Sequence, residues 1–127
     1  MIVLDSSAIL ANLRREPGGG DVVPFLQTGF VCAVNWAEVI SVLNRQGADG
    51  GSLPALIGWI EANVVALDRS MAADAGQMAV LTAPFALSLG DRCCLALARR
   101  LRLPAITADR AWLDVADAVG VEIRCIR

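Results

Sequence analysis

The chain has no histidine and no lysine, so all 11 of its cationic side chains are arginine. Without imidazole there is no Ser/His/Asp or Cys/His relay and no nitrogen ligand for a metal, which closes the commonest routes to hydrolysis. Without lysine there is no Schiff base, no phosphate-loop lysine and no lysine-assisted aspartyl phosphate. No uninterrupted apolar stretch reaches the ~18 residues of a membrane span, although the apolar fraction of 56% exceeds the usual ~45–50%. That surplus suits a subunit or partner interface. A basic n-region with a following apolar stretch is missing too, because Met1-Ile-Val-Leu runs straight into Asp5, and a cytoplasmic protein without membrane contact is expected.

At 127 residues the chain has the length of a single domain, 1–127, with one substantial core. Its cysteines, Cys32, Cys93, Cys94 and Cys125, have no CxxC spacing and read as buried free thiols. A net charge of −2 argues against a uniformly basic nucleic-acid binder, though acidic site residues would themselves lower the total.

Strand and helix patterns alternate along the chain. Ile2-Val3-Leu4 reads as a buried strand, and Asp5-Ser6-Ser7 supplies capping groups before a helix from Ala8 to Leu13. Pro17-Gly18-Gly19-Gly20 breaks that helix and forms a mobile loop ahead of a short segment from Val22 to Gln27. Phe30 to Val34 is the second strand, Asn35 opens a helix to Arg45, Gly47 to Gly51 turns, and a further helix runs from Ser52 or Pro54 to Ala62. Val64 to Leu67 is the third strand, followed by a helix from Ser70 to about Leu81 and a break near Pro84. A helix then runs from Ser88 to Leu101, Pro104 to Thr107 is the fourth strand, one helix leads from Asp109 to Gly120, and Val121 to Ile126 closes as the fifth strand. Such alternation favours an α/β fold: a mostly parallel central sheet of about five strands, with helices on both faces.

Four carboxylates fall at comparable places. Asp5 and Asp109 follow strands and precede helices, while Glu38 and Asp91 lie in first turns of helices, so all four can meet at the carboxyl edge of the sheet. Converging carboxylates repel one another unless some stay protonated or a divalent cation joins them. Taken singly, each also reads as a helix cap: Asn35-x-x-Glu38 and Ser88-x-x-Asp91 have the form of capping boxes. On the helix from Asp91, Arg92, Ala96, Arg99 and Arg100 project to one side, and Asp91 lies above Cys94, Leu95 and Ala98 on an apolar stripe, so Asp91 is expected to face inward. Glu38 also fits a solvated stripe with Asn35, Ser41 and Arg45, where Arg45 would pair with it.

The sequence strongly resembles the PIN-domain ribonucleases, in particular the VapC-type toxins of bacterial and archaeal toxin–antitoxin pairs. The resemblance is carried by Val3-Leu4-Asp5-Ser6-Ser7-Ala8, Asn35-Trp36-Ala37-Glu38-Val39, Leu87-Ser88-Leu89-Gly90-Asp91 and Thr107-Ala108-Asp109-Arg110-Ala111-Trp112, and it spans nearly the whole chain. Each motif is weak alone; their order and spacing are specific. The resemblance implies a PIN-like three-layer α/β/α fold and makes Asp5, Glu38, Asp91 and Asp109 the acidic, catalytic cluster that holds Mg²⁺ or Mn²⁺. Ser6 and Thr107 match hydroxyls beside that cluster, which would orient carboxylates or water. Some relatives carry a further acidic residue shortly after the last aspartate; here Asp114 is either that group or a surface residue.

Hydrolysis of RNA phosphodiester bonds by metal-activated water fits this donor set, since oxygen-only ligands favour Mg²⁺ or Mn²⁺ over zinc. Arg14, Arg15, Arg92 and Arg110 are the nearest cations in sequence for RNA phosphates, with ordinary solvated arginine as the alternative. The resemblance further implies a homodimer held inactive by a cognate antitoxin, with Trp36, Trp59 and Trp112 either at those interfaces or in the core. Two other readings remain. One is a PIN-like domain that binds RNA or a partner without cutting. The other is a phosphoacceptor receiver domain, which the missing lysine disfavours and whose single aspartate after the first strand is also a poor fit.

Overall fold

The computed structural model describes residues 1–45 and 63–127. The turn at Gly47–Gly51, the helix expected up to Ala62 and Trp59 lie outside the described residues. Among the described residues there are five short strands: β1 (Val3–Leu4), β2 (Val31–Cys32), β3 (Val64–Val65), β4 (Ala105–Thr107) and β5 (Ile123–Cys125). β1 pairs in parallel with β4, β4 with β5, and β2 with β3. A parallel bridge between Val3 and Phe30 joins the two ladders, with the Leu4 N–H donating to the Phe30 carbonyl at 2.7 Å and the Phe30 N–H to the Ile2 carbonyl at 2.9 Å. The lateral order is therefore β3-β2-β1-β4-β5, all parallel, as expected of an α/β fold.

Strand periodicity divides the apolar side chains between two cores. Val3, Cys32 and Ala105 face one cluster, which includes Met71, Met78, Leu95, Leu97, Trp112 and Val119. Ile2, Leu4, Val31 and Ile106 face the other, with Ile9, Val22, Trp36 and Val39. The first cluster draws on α3 (Arg69–Leu81), α4 (Leu89–Leu101) and α5 (Ala116–Val119); the second draws on α1 (Ser6–Leu13) and α2 (Ala33–Arg45). Helices thus cover both faces of the sheet in three α/β/α layers, as the resemblance implies. Ile2, Leu4 and Ile9 are wholly buried, each contributing about 1.5–3 kcal/mol.

Several boundaries differ from the sequence expectation. α2 starts at Ala33, two residues before Asn35, so the chain passes from strand to helix without a loop and the strand expected up to Val34 stops at Cys32. α3 is capped one residue earlier than expected, by Asp68, which accepts the Met71 N–H at 2.8 Å. The single helix expected from Asp109 to Gly120 is two pieces, a 3-10 turn at Arg110–Asp114 and α5. The tighter turn brings Trp112 and Val115, three residues apart, onto the same buried side. The Pro17–Gly20 segment, expected as a mobile loop, packs: a Cβ on Gly18, at φ 81°, would fall 2.0 Å from the Ile126 carbonyl oxygen, and one on Gly19 2.4 Å from that of Ala11. Ala96 is buried, against the expected polar side of α4, because α3 covers that side.

The chain leaves β1 toward β2 and β3 and later returns to β4 on β1's other flank. The strand order therefore reverses between β1 and β4, and the residues that follow these strands, Asp5 and Asp109, flank the switch point where open α/β sheets bind ligands.

Candidate functional site

Asp5 is the residue between β1 and α1, in an extended N-cap conformation, yet its carboxylate makes no cap bond to α1. Its Oδ2 accepts instead from Ser7 Oγ at 2.5 Å and from Thr107 Oγ1 at 2.8 Å. Asp5 is 2% exposed, and its Oδ1 is buried with no hydrogen-bond partner. The same two hydroxyls accept backbone amides beyond β4: Ser7 from Ala108 at 2.9 Å and Thr107 from Asp109 at 3.1 Å. The β1–α1 turn is thereby stitched to the β4 exit.

Glu38 sits in the second turn of α2, half-buried, where Oε2 accepts from Ser6 Oγ at 2.7 Å and lies 3.5 Å from Asn35 Nδ2. Asn35 is wholly buried and donates to the Gly90 carbonyl at 3.0 Å, tying α2 to the first turn of α4. Asn35 is therefore a cross-brace inside the helix, and the capping box suggested by Asn35-x-x-Glu38 does not form. A Cβ on Gly90 would fall 1.9 Å from Glu38 Oε1, so only glycine lets that carboxylate approach the helix start. Arg45 stands two turns further along α2, about 10 Å away, and no Glu38–Arg45 ion pair is present among the described residues. The two residues instead line one groove of about 770 Å³ between α1 and α2, with Ser6, Leu10 and Val42.

Asp91 closes a capping box: it accepts the Ser88 N–H at 2.9 Å while its own N–H donates to Ser88 Oγ at 3.1 Å. It is half-buried, as its apolar stripe implies. Asp109 is exposed and caps the following 3-10 turn through the Ala111 N–H at 2.9 Å. Asp114 ends that turn, exposed.

Burial pushes the Asp5 carboxyl from 3.8 up to about 6 against the pull of Ser7 and Thr107, and the charges of Asp91 and Glu38 push it further. Burial likewise raises Asp91, against its two bonds to Ser88, with added repulsion from Asp109 and Glu38. The Cys94 thiol, buried beneath Asp5, Asp91 and Glu38, is held well above its ordinary value by burial first and then by those charges. The four carboxylates thus share one electrostatic neighbourhood. Among the described residues, no three acidic or thiol groups already form an ion-holding cluster; Glu38 accepts from Ser6, and Asp91 and Asp109 accept helix-start amides.

The arginines scatter. Arg14 ends α1, 3.5 Å from Glu16, and exposed Arg15 follows it, both at the opposite end of that helix from Asp5. Arg92 is half-buried and donates to the Ala75 carbonyl on α3 at 3.2 Å. Arg110 is exposed beside Asp109, and Arg100 pairs with Asp68 at 2.8 Å. Trp36 and Trp112 belong to the two cores. Cys32, Cys93 and Cys94 are buried and free, and Cys125 is half-buried. Ser7 was missed from sequence; its spacing two residues after Asp5, a common arrangement for side-chain turns, was the available signal.

No curated protein sequence matches the chain significantly. Among solved structures, it is similar to a toxin–antitoxin complex from Klebsiella pneumoniae, at 15% identity and a TM-score of 0.74 over 100% of this chain and 98% of that one. It is also similar to DNA-bound VapBC from Salmonella typhimurium, at 17% identity and a TM-score of 0.75, covering 100% of both chains. A third similar structure, FitAcB from Neisseria gonorrhoeae, has 19% identity and a TM-score of 0.71 over 99% of this chain and 98% of that one. Residues 2–118 match the PIN domain, and the chain belongs to the PIN domain family.

Proposed function

We propose that the chain, acting as one domain over residues 1–127, is a Mg²⁺- or Mn²⁺-dependent endoribonuclease and the toxin of a VapBC-like toxin–antitoxin pair. The observation that carries this reading is the buried, unpartnered Asp5 Oδ1 at a rim shared with Glu38, Asp91 and Asp109. An unpaired carboxylate oxygen among like charges is costly in a low-dielectric setting, and a hard cation would satisfy that oxygen and relieve the repulsion. The donor set is all oxygen, which fits Mg²⁺ or Mn²⁺.

Asp5, Glu38, Asp91 and Asp109 would hold the ion. When bound, the ion supplies the Lewis acidity that activates water and neutralises charge developing on the scissile phosphate. Thr107 fixes Asp5, and Ser6 holds Glu38 toward the rim. Arg110, exposed beside Asp109, is the best placed of the arginines to meet a flanking phosphate; Arg14, Arg15 and Arg92 are less so. The solved toxin–antitoxin assemblies of like fold support an antitoxin partner, and a cytoplasmic homodimer completes this reading.

A second reading is a PIN domain that binds RNA or a partner without cutting it. It is favoured by Asp91 and Asp109 each giving one carboxylate oxygen to a helix cap. The two readings part in one experiment: purified protein free of antitoxin is incubated with structured RNAs, with Mn²⁺ or with chelator. Metal-dependent cleavage that Asp5→Asn abolishes supports the nuclease. Cleavage that persists in chelator rules out the metal mechanism, and binding without cleavage favours the second reading.

A further inference from the structure

We propose that Ser7 is a positioning residue that decides which oxygen of Asp5 is presented to the divalent ion; this rests on the metal-site reading above. A hydroxyl has one proton to give. Ser7 and Thr107 each approach the same atom, Asp5 Oδ2, at 2.5 and 2.8 Å, and both accept a backbone amide on their other side. With both protons committed to Oδ2, the 3.1 Å approach of Ser7 Oγ to Thr107 Oγ1 has no proton to share. The pair therefore saturates Oδ2 and leaves Oδ1 as the buried oxygen without a partner. Asp5 is thereby prepared as a one-oxygen ligand.

The neighbouring serine does something different. Ser6 turns to Glu38, whereas Ser7 reaches 101 residues along the chain to the Ala108 N–H. Ser7 thus joins the turn that carries Asp5 to the turn that carries Asp109, and it sets both the rotamer of one carboxylate and the spacing between two. Thr107 alone gives Oδ2 one bond, which leaves the carboxylate free to swing.

The test measures Mn²⁺ binding directly, by loss of the free-ion EPR signal, with thermal unfolding in chelator as the control for folding. Ser7→Ala is expected to weaken Mn²⁺ binding by about tenfold or more, the usual effect of losing a group that orients a ligand. Ser7→Cys keeps the volume with a weak donor and is expected to show the same weakening at a wild-type unfolding midpoint. Ser7→Thr, which keeps the hydroxyl, is expected to restore wild-type affinity. Wild-type Mn²⁺ affinity in Ser7→Ala or Ser7→Cys overturns the proposal, as does equal weakening in all three variants. If the wild-type protein itself binds no Mn²⁺, the metal-site reading fails and this proposal fails with it; normal wild-type binding with unaffected variants sinks this proposal alone.

Discussion

Asp5 and Asp91 carry the same side chain at the same rim and are held in opposite ways. Asp91 is satisfied within its own first helical turn, by a partner three residues away, and stabilises the helix it starts. Asp5 stands at a helix start too, but it ignores the adjacent amides and is held by Ser7 and by Thr107, 102 residues away. Burial raises both carboxyls, but Asp91 is offset by its own helix start while Asp5 is left with a buried oxygen unpaired. A carboxylate at a helix start can therefore be held by its own turn or by partners distant in sequence.

The sharpest way to break that contrast is Asp5→Asn. RNA cleavage is expected to fall on the order of a thousandfold, while the metal-free protein becomes more resistant to heat at neutral pH because the buried charge is gone. A variant that loses stability would show that the Asp5 charge is well paid for in the apoprotein. The next largest effect is the pH dependence of the wild type. The unfolded chain releases this proton near 3.8 and the folded protein near about 6, so the folded state binds more protons between them. The contribution of Asp5 to stability is thus full below the lower value, falls as pH rises through the window and leaves roughly 3 kcal/mol of destabilisation above it. Denaturant titrations in chelator across pH 4 to 8 measure this, and Asp5→Asn should flatten the slope.

Gly90→Ala probes the join between the two halves of the site. The added Cβ displaces Glu38, the flexible end of a side chain, so stability should change by no more than about 1 kcal/mol. Cleavage should fall by about a hundredfold, as expected for a misplaced group. Unchanged cleavage would remove Glu38 from the site. The smallest effect is expected for Ser88→Ala, which deletes half of the capping box at a cost of about 1 kcal/mol. Asp91 keeps its bond from the Ser88 N–H, so cleavage should fall only a few-fold. A collapse of cleavage here would mean that the cap and the site are one device.

What was legible in sequence was local. The β1 pattern, the Ser88 cap and the strand-then-aspartate spacing placed all four carboxylates at one edge, because a βα unit puts strand ends and helix starts on the same side. What escaped reading depends on partners distant in sequence. Asn35 has the spacing of a cap but braces Gly90 across two helices. Ala96 projects onto a polar side that α3 happens to cover, and Ser7 is indistinguishable from Ser6 until Thr107 and Ala108 are brought beside it. Glu38 kept Arg45 as a plausible partner until Ser6 took its place.

The central position of β1 also has a consequence in time. Its neighbour β4 lies about a hundred residues downstream, so at roughly 5–20 residues per second a ribosome needs on the order of 5–20 s to supply Thr107 after Asp5. Until then the first aspartate has neither its second hydroxyl nor its companion at the β4 exit. Under the nuclease reading, the nascent chain is inert toward the messenger being translated, and its activity begins only once that strand has been released and paired.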